Sequence, residues 1–102
     1  MSRPRHDWWS YVKAMIRRYP DAVTERERCA VEQAVAVTRG LSAGAERMAL
    51  VDMIFWRRSH TLSGAAGVCH VSERTAQRWH ADFIWLVARE FGLTERVYNM
   101  HK

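Results

Sequence analysis

The chain has 102 residues, of which 48% are hydrophobic and 26% charged, with a formal net charge of +5 and a pI near 9.9. This length and apolar content predict one folded domain that needs no metal or disulfide to complete its core. The basic balance favours a polyanionic partner, either nucleic acid or an anionic membrane surface. The longest run without Lys, Arg, Asp or Glu has 14 residues, 59–72. A membrane span needs roughly 20 apolar residues, so none is expected.

Targeting and redox signals point to the cytosol. The first ten residues, MSRPRHDWWS, are basic but lack the apolar stretch and the cleavage site of a secretory signal. Cys29 and Cys69 do not form a CxxC pair, and we expect reduced thiols. The predicted location is therefore cytoplasmic.

Apolar spacing predicts five helices and no strand, which makes the fold class all-α. The first helix, about 7–19, has one apolar stripe and ends before Pro20. That stripe consists of Trp8, Val12, Met15, Ile16 and Tyr19, with Lys13, Arg17 and Arg18 largely off it. The second helix begins at a capping box formed by Thr24 and Glu27 and ends at Gly40, where we expect a left-handed cap.

The second half of the chain contains the other three helices. They are predicted over about 45–57, 61–69 and 73–91, with Ser72 as a cap and Gly92 as a stop. We therefore expect a single domain over 1–102. An amino-terminal helical pair would occupy 1–40, and a helix followed by a helix-turn-helix would occupy 45–91, with the motif at 61–83.

The stretch TLSGAAGVCHVSERTAQRWHADF meets the packing demands of a helix-turn-helix. Ala66 is small where the second helix must press on the first, and Val71 closes the turn. His70 lies in the turn, where a left-handed backbone is wanted, and histidine is one of the residues enriched in that conformation. Ala76, Trp79 and Phe83 are expected to point inward.

The outward face of the last helix is then predicted to contact DNA. The candidates for base edges are Glu73, Arg74, Gln77, Arg78 and Ala81. Arginine pairs with guanine and glutamine with adenine, each contact contributing about 1–3 kcal/mol of discrimination. Candidates for the phosphate backbone are Arg57, Arg58, Thr61, Ser63 and Ser72. His60, His70 and His80 are expected to add positive charge at lower pH.

These residues resemble the RinA/ArpU family of phage transcriptional regulators. The resemblance rests on WWSYVKAMIRRYP, on GAERMALVDMIFWRRSHTLSGAAGVCHVSERTAQRWHADF and on LVAREFGL, which together span roughly two-thirds of the chain. It implies an activator of late phage operons in a bacterial host, with a carboxyl half similar to region 4 of sigma factors. Arg74, Gln77 and Arg78 match the recognition-face positions of that family. Double-stranded DNA is the implied partner, with host RNA polymerase as a second candidate.

Other uses of the same residues remain open. An ordinary solvated helical hairpin has the same pattern, and a small terminase-like packaging adaptor or a simple repressor also carries a helix-turn-helix. Trp8 and Trp9 are adjacent, and we expect that they cannot both point inward. The outer one would then meet a second copy of the chain or RNA polymerase.

Metal binding and catalysis have little support. The His and Cys spacing does not give the paired ligands of a zinc site. No phosphate loop, HExxH motif or nucleophile elbow is present. Asp52, Asp82 and Glu90 suit i,i+4 pairing or solvent better than a paired-carboxylate site. We therefore expect no metal, no cofactor and no enzymatic activity.

Overall fold

The computed structural model describes residues 7–21 and 23–94, and every regular element in those ranges is helical. The five helices are α1 (Trp9–Arg18), α2 (Glu25–Arg39), α3 (Gly44–Val51), α4 (Leu62–Val68) and α5 (Glu73–Phe91). A π-helical turn, Asp52–Trp56, continues α3. The prediction of an all-α fold with five helices is confirmed over the described ranges. Residues 1–6 and 95–102 of the predicted domain lie outside them.

Helix α1 buries the stripe predicted from its spacing. Val12, Met15 and Ile16 are fully buried, and Trp8 and Tyr19 are half-buried at its two ends. The helix ends at Arg18, two residues before the proline. An apolar face on a 3.6-residue period therefore docks α1 on the rest of the molecule.

The capping box of α2 forms as predicted, but the left-handed cap at its end does not. The Glu27 N–H donates to Thr24 Oγ1 at 3.2 Å, and the Thr24 N–H donates to Glu27 Oε1 at 3.0 Å. Gly40 ends the helix with a φ of −86°, so the prediction of a left-handed backbone there is wrong. Its N–H donates to the Val37 carbonyl at 3.0 Å, which tightens the last turn in the right-handed sense.

The change of chain direction falls instead on Ala43 and Gly44. Ala43 has a φ of 57°, immediately before α3 begins. A Cβ on Gly44 would lie 2.5 Å from the Arg39 carbonyl oxygen, so only glycine allows this close approach of α3 to the end of α2. The start of α3 therefore requires a glycine at position 44.

Helix α5 forms the centre of the molecule. All eight residues from Ala81 to Ala88 are buried. The larger core cluster joins α5 to α1, α2 and the α3 region. The smaller cluster holds α4 against α3 and the start of α5, and consists of Leu50, Met53, Ala65, Ala66, Ala76 and Trp79. The end of α5 is capped by Gly92, whose φ of 94° is left-handed.

A buried ion pair crosses from α3 to α5. Arg47 Nη1 lies 3.0 Å from Asp82 Oδ2, and the two side chains are only 6% and 4% exposed. Arg47 also donates from Nε to the Ser42 carbonyl at 2.9 Å, and its guanidinium lies 5.5 Å from the centre of the Trp79 ring. The expectation of i,i+4 pairing or solvent for Asp82 is therefore wrong, because its cation comes from a distant helix.

Candidate nucleic-acid interface

The turn that joins α4 to α5 is fixed by its backbone. His70 has a φ of 59°, which confirms the left-handed conformation expected there. The Val71 N–H donates to the Ala66 carbonyl at 3.0 Å, and the Val71 side chain packs on the smaller core cluster. The angle at which α5 leaves the turn is therefore set by hydrogen bonds and by packing.

The polar side chains around this turn have internal partners. Ser72 Oγ accepts from the Thr75 N–H at 3.1 Å and donates to Thr75 Oγ1 at 3.1 Å. Thr61 Oγ1 accepts from the Gly64 N–H at 3.1 Å and so caps α4. Thr61 and Ser72 are exposed helix caps. A phosphate contact would add to the role of Thr61, whose hydroxyl only accepts in the cap, whereas Ser72 would have to turn its proton away from Thr75 Oγ1.

A hydrogen bond also ties the two helices to each other. Ser63 Oγ donates to Glu73 Oε2 at 2.9 Å, and both residues are exposed. The carboxylate lies in the first turn of α5, where the positive end of the helix dipole favours it. This bond holds one of the predicted phosphate contacts and one of the predicted base contacts in a fixed relative position.

The first two turns of α5 have the orientation that the sequence predicts. Ala76, Trp79 and Phe83 are 0%, 7% and 1% exposed. On the opposite side the polar residues face solvent, namely Glu73, Arg74, Gln77 and Arg78. Neither arginine of this face lies within ion-pair distance of a carboxylate in the described part of the chain. Their guanidinium groups are therefore open to an external acceptor.

Ala81 does not belong to this face. It is 6% exposed, so the prediction that it contacts bases is wrong. It is the first residue of the stretch 81–88 that α5 buries in the core, where α1 also packs, with the Trp8 ring 5.3 Å from the Trp85 ring in an edge-to-face contact. The outward face of α5 therefore ends after about two turns.

The predicted backbone contacts Arg57 and Arg58 follow the π-helical turn, and both are exposed. Arg57 Nε lies 3.0 Å from Asp52 Oδ2, which occupies one side of its guanidinium. Arg58 has a φ of 52° and forms no ion pair in the described ranges. A π-helical turn is frequently found at functional sites. Here the turn is followed by Arg58, which has a strained backbone and no ion pair in the described ranges.

His80 marks the end of the exposed part of α5. Its ring stacks on Phe55 with 5.2 Å between centroids and 2° between planes. Burial, together with the nearby charges of Lys13 and Arg17, lowers its pKa from 6.5 to about 4. His80 therefore adds positive charge only near pH 4 and below, which is more acidic than an ordinary histidine requires.

The charges that lower the pKa of His80 belong to two basic residues that the sequence prediction did not assign to the interface. Lys13 and Arg17 belong to α1, off its apolar stripe, and the fold brings them near α5. Their i,i+4 spacing on a polar face is the signal that was available in the sequence. Nothing in the spacing alone shows which neighbouring helix that face will meet.

Trp8 and Trp9 are both half-buried and both pack against the larger core cluster. Their rings lie 5.8 Å apart, and Trp8 also contacts Trp85. The expectation that one of them must point away from the molecule is therefore wrong. The large apolar side chains that are exposed in the described residues are those of Tyr11, Val68 and Leu93.

The described residues contain neither a metal-ligand cluster nor a membrane-spanning helix. Within 7–21 and 23–94, no three His, Cys, Asp or Glu side chains are grouped to hold a metal ion. No helix in these ranges has the length and apolar character to cross a bilayer. Comparison of the chain with protein-family models, curated proteins and solved structures finds no match.

Proposed function

We propose that this protein is a sequence-specific DNA-binding regulator of transcription that inserts the first two turns of α5 into the major groove. The observation that carries the proposal is the exposed polar face of those turns, with Arg74, Gln77 and Arg78 facing solvent above a buried Ala76 and Trp79. In this proposal α4, the turn and α5 form a helix-turn-helix similar to that of sigma region 4.

The dimensions support this mode of binding. The exposed part of α5 runs from residue 73 to residue 80, which is about 12 Å of helix. The major groove, about 12 Å wide, admits a helix whose diameter with side chains is about 10–12 Å, and helix-turn-helix proteins contact base edges with the amino-terminal residues of the second helix. The burial of α5 from Ala81 onwards is compatible with this mode, because only the first turns must enter the groove.

The chemistry of the face supports base reading. Arg74 and Arg78 can each donate two parallel hydrogen bonds to guanine, and Gln77 can pair with adenine. Glu73 can accept from the amino group of cytosine when Ser63 turns its single hydroxyl proton from this carboxylate to a phosphate. Phosphate contacts are assigned to Arg57, Arg58, Thr61, Ser63 and Ser72, which position the protein without reading the sequence.

The biological role in this proposal follows from the resemblance to the RinA/ArpU regulators. It extends the proposal to the activation of late phage genes in the cytoplasm of a bacterial host, with host RNA polymerase as a further partner. A reporter gene placed downstream of the selected DNA site distinguishes activation of transcription from repression. Activation raises the reporter signal and repression lowers it. Light scattering tests the packaging alternative, which predicts a ring of many copies.

The proposal is tested by selecting duplexes from a random pool and measuring affinity for the selected site over a range of salt concentrations. We expect Arg78→Ala to lose about 1–3 kcal/mol on that site and to relax its sequence preference. We expect Arg58→Ala to weaken binding to all duplexes alike and to lower the salt slope by about one. Equal binding by wild type and both variants across salt would contradict the proposal.

A further inference from the structure

We propose that α1 is a second DNA-contacting element, in which Lys13 and Arg17 bind the phosphate backbone beside the groove that α5 enters. This inference rests on the proposed function and adds to it a contact surface from a different helix. The partner is the same double-stranded DNA, and the chemical group that these two residues recognise is the phosphate.

Two tethers hold this part of α1 beside the proposed interface. Trp56 Nε1 donates to the Ile16 carbonyl at 2.8 Å, which joins the carboxyl-terminal half of α1 to the π-helical turn. Phe55, the preceding residue of that turn, stacks on His80 of α5. The π-helical turn thus connects Ile16, the neighbour of Arg17, to the end of the exposed face of α5.

The same turn also leads directly into the predicted phosphate contacts. Arg57 and Arg58 follow Trp56 in the chain. The tether through Trp56 therefore places the carboxyl-terminal half of α1 next to the exit of the turn. In this proposal basic residues from α1, from the exit of the turn and from α5 contact one duplex.

Neither Lys13 nor Arg17 forms an ion pair within the described part of the chain. Lys13 is half-buried and Arg17 is exposed, and no carboxylate in the described ranges lies within ion-pair distance of either. By contrast Arg18, the next residue, lies 3.3 Å from Glu27. Like charges at i and i+4 on one helix face repel each other, which offsets the favourable position of Arg17 in the last turn of α1. An external anion would remove this repulsion.

The expected contribution is affinity without sequence preference. Side chains at i and i+4 have Cβ atoms about 5–6 Å apart, a spacing suited to neighbouring phosphates of one strand. Lysine binds phosphate as a point charge and arginine as a planar fork. Each phosphate neutralised releases counterions and steepens the dependence of binding on salt by about 0.9.

The test compares two double variants that each remove two positive charges. Lys13→Gln/Arg17→Gln removes the proposed contacts. Arg28→Gln/Arg89→Gln is the control for the change in net charge. Arg28 pairs with Glu25 on α2 and Arg89 lies in the last turn of α5, so neither belongs to the proposed interface. The dissociation constant is measured against salt for the selected duplex and for an unrelated duplex.

We expect the Lys13/Arg17 variant to lower the salt slope by about 1.8 on both duplexes, while the ratio of the two dissociation constants stays at its wild-type value. The control should keep the wild-type slope, and the thermal midpoint of the Lys13/Arg17 variant should be unchanged or raised. A wild-type slope in that variant, or an equal loss in the control, overturns this inference alone. If the wild-type protein binds no duplex, both the proposed function and this inference are wrong.

Discussion

At the scale of single residues, backbone strain coincides with the proposed interface. In the described part of the chain, the residues other than glycine with positive φ are Ala43, Arg58 and His70. The left-handed conformation costs an ordinary residue about 1–2 kcal/mol. Arg58 carries this cost at an exposed position and without an ion pair. Such strain is typical of a position that is kept for its side chain rather than for stability.

Two substitutions at this position separate strain from charge. Arg58→Gly relieves the strain and Arg58→Ala keeps it, while both remove the guanidinium. We expect Arg58→Gly to be more stable than Arg58→Ala by about 1 kcal/mol in urea unfolding, after the greater flexibility of glycine in the unfolded chain is included. The two variants should show the same loss of DNA affinity. A difference in affinity between them would mean that the backbone conformation, and not the charge, matters for binding.

The orientation of residues 73–79 could be predicted from the sequence, because local packing of α5 on α4 decides it. The positions of Ala81 and Asp82 could not. Ala81 is buried where α5 enters the core, and the partner of Asp82 is Arg47, which lies 35 residues away. Helical spacing predicts which residues share a face, but it does not predict which distant element will cover that face.

At the scale of elements, α5 has two environments along its length. Its first two turns expose polar residues, and the next eight residues are buried on all sides. The Arg47–Asp82 pair lies at the boundary and joins α3 to α5 beneath the exposed turns. The start of α5 is therefore held by α4 through small residues and by α3 through this ion pair.

Removing one partner of this buried pair should be costly. Asp82→Asn leaves the Arg47 guanidinium buried without its counter-charge, and we expect a loss of about 3–5 kcal/mol in the free energy of unfolding. The double variant Arg47→Met/Asp82→Leu removes both charges and should recover most of that loss. Urea unfolding followed by circular dichroism measures both. A double variant as unstable as the single one would show that the hydrogen bond from Arg47 to Ser42 matters more than the charge pair.

The elements themselves follow from local signals in the sequence, and the exceptions follow from contacts between elements. The caps at Thr24, Ser72 and Gly92 are confirmed because each depends on a few neighbouring residues. Gly40 differs because α3 must approach the end of α2, and the left-handed residue is Ala43 instead. The π-helical turn after α3 was not predicted, because the apolar spacing of residues 52–56 continues that of α3.

At the scale of the whole molecule, the cations divide into two groups. Some are neutralised within the described part of the chain, as in the pairs of Arg18, Arg28, Arg47, Arg57 and Arg89. Others form no ion pair there, and they include Lys13, Arg17, Arg58, Arg74 and Arg78. Together with the paired Arg57, these are the cations assigned to DNA in the two proposals. The net charge of +5 predicts a polyanionic partner from composition alone. Only the fold shows which charges remain open to it.

The stability of the whole domain should fall in mild acid because of His80. Its pKa is about 4 in the folded protein and near 6.5 in the unfolded chain, so the unfolded chain binds a proton first as the pH falls. The free energy of unfolding should therefore decrease between pH 6.5 and pH 4, by about 3 kcal/mol in total, with no further loss from this residue below that range. Glu27 acts differently. The Thr24 N–H and the Tyr11 hydroxyl donate to its carboxylate and hold its pKa below 4.5, so its contribution is lost only at lower pH.

Urea unfolding at a series of pH values measures the contribution of His80. His80→Gln, which is neutral throughout, should show a nearly flat stability between pH 6.5 and pH 4.5. His60→Gln is the control, because His60 is exposed and its loss should leave the pH dependence of the wild type intact. In the Lys13→Gln/Arg17→Gln variant the pKa of His80 should rise, since two nearby positive charges are gone, and the acid sensitivity should weaken. An unchanged pKa of His80 in that variant, followed by NMR, would place α1 too far from α5 to flank the same groove.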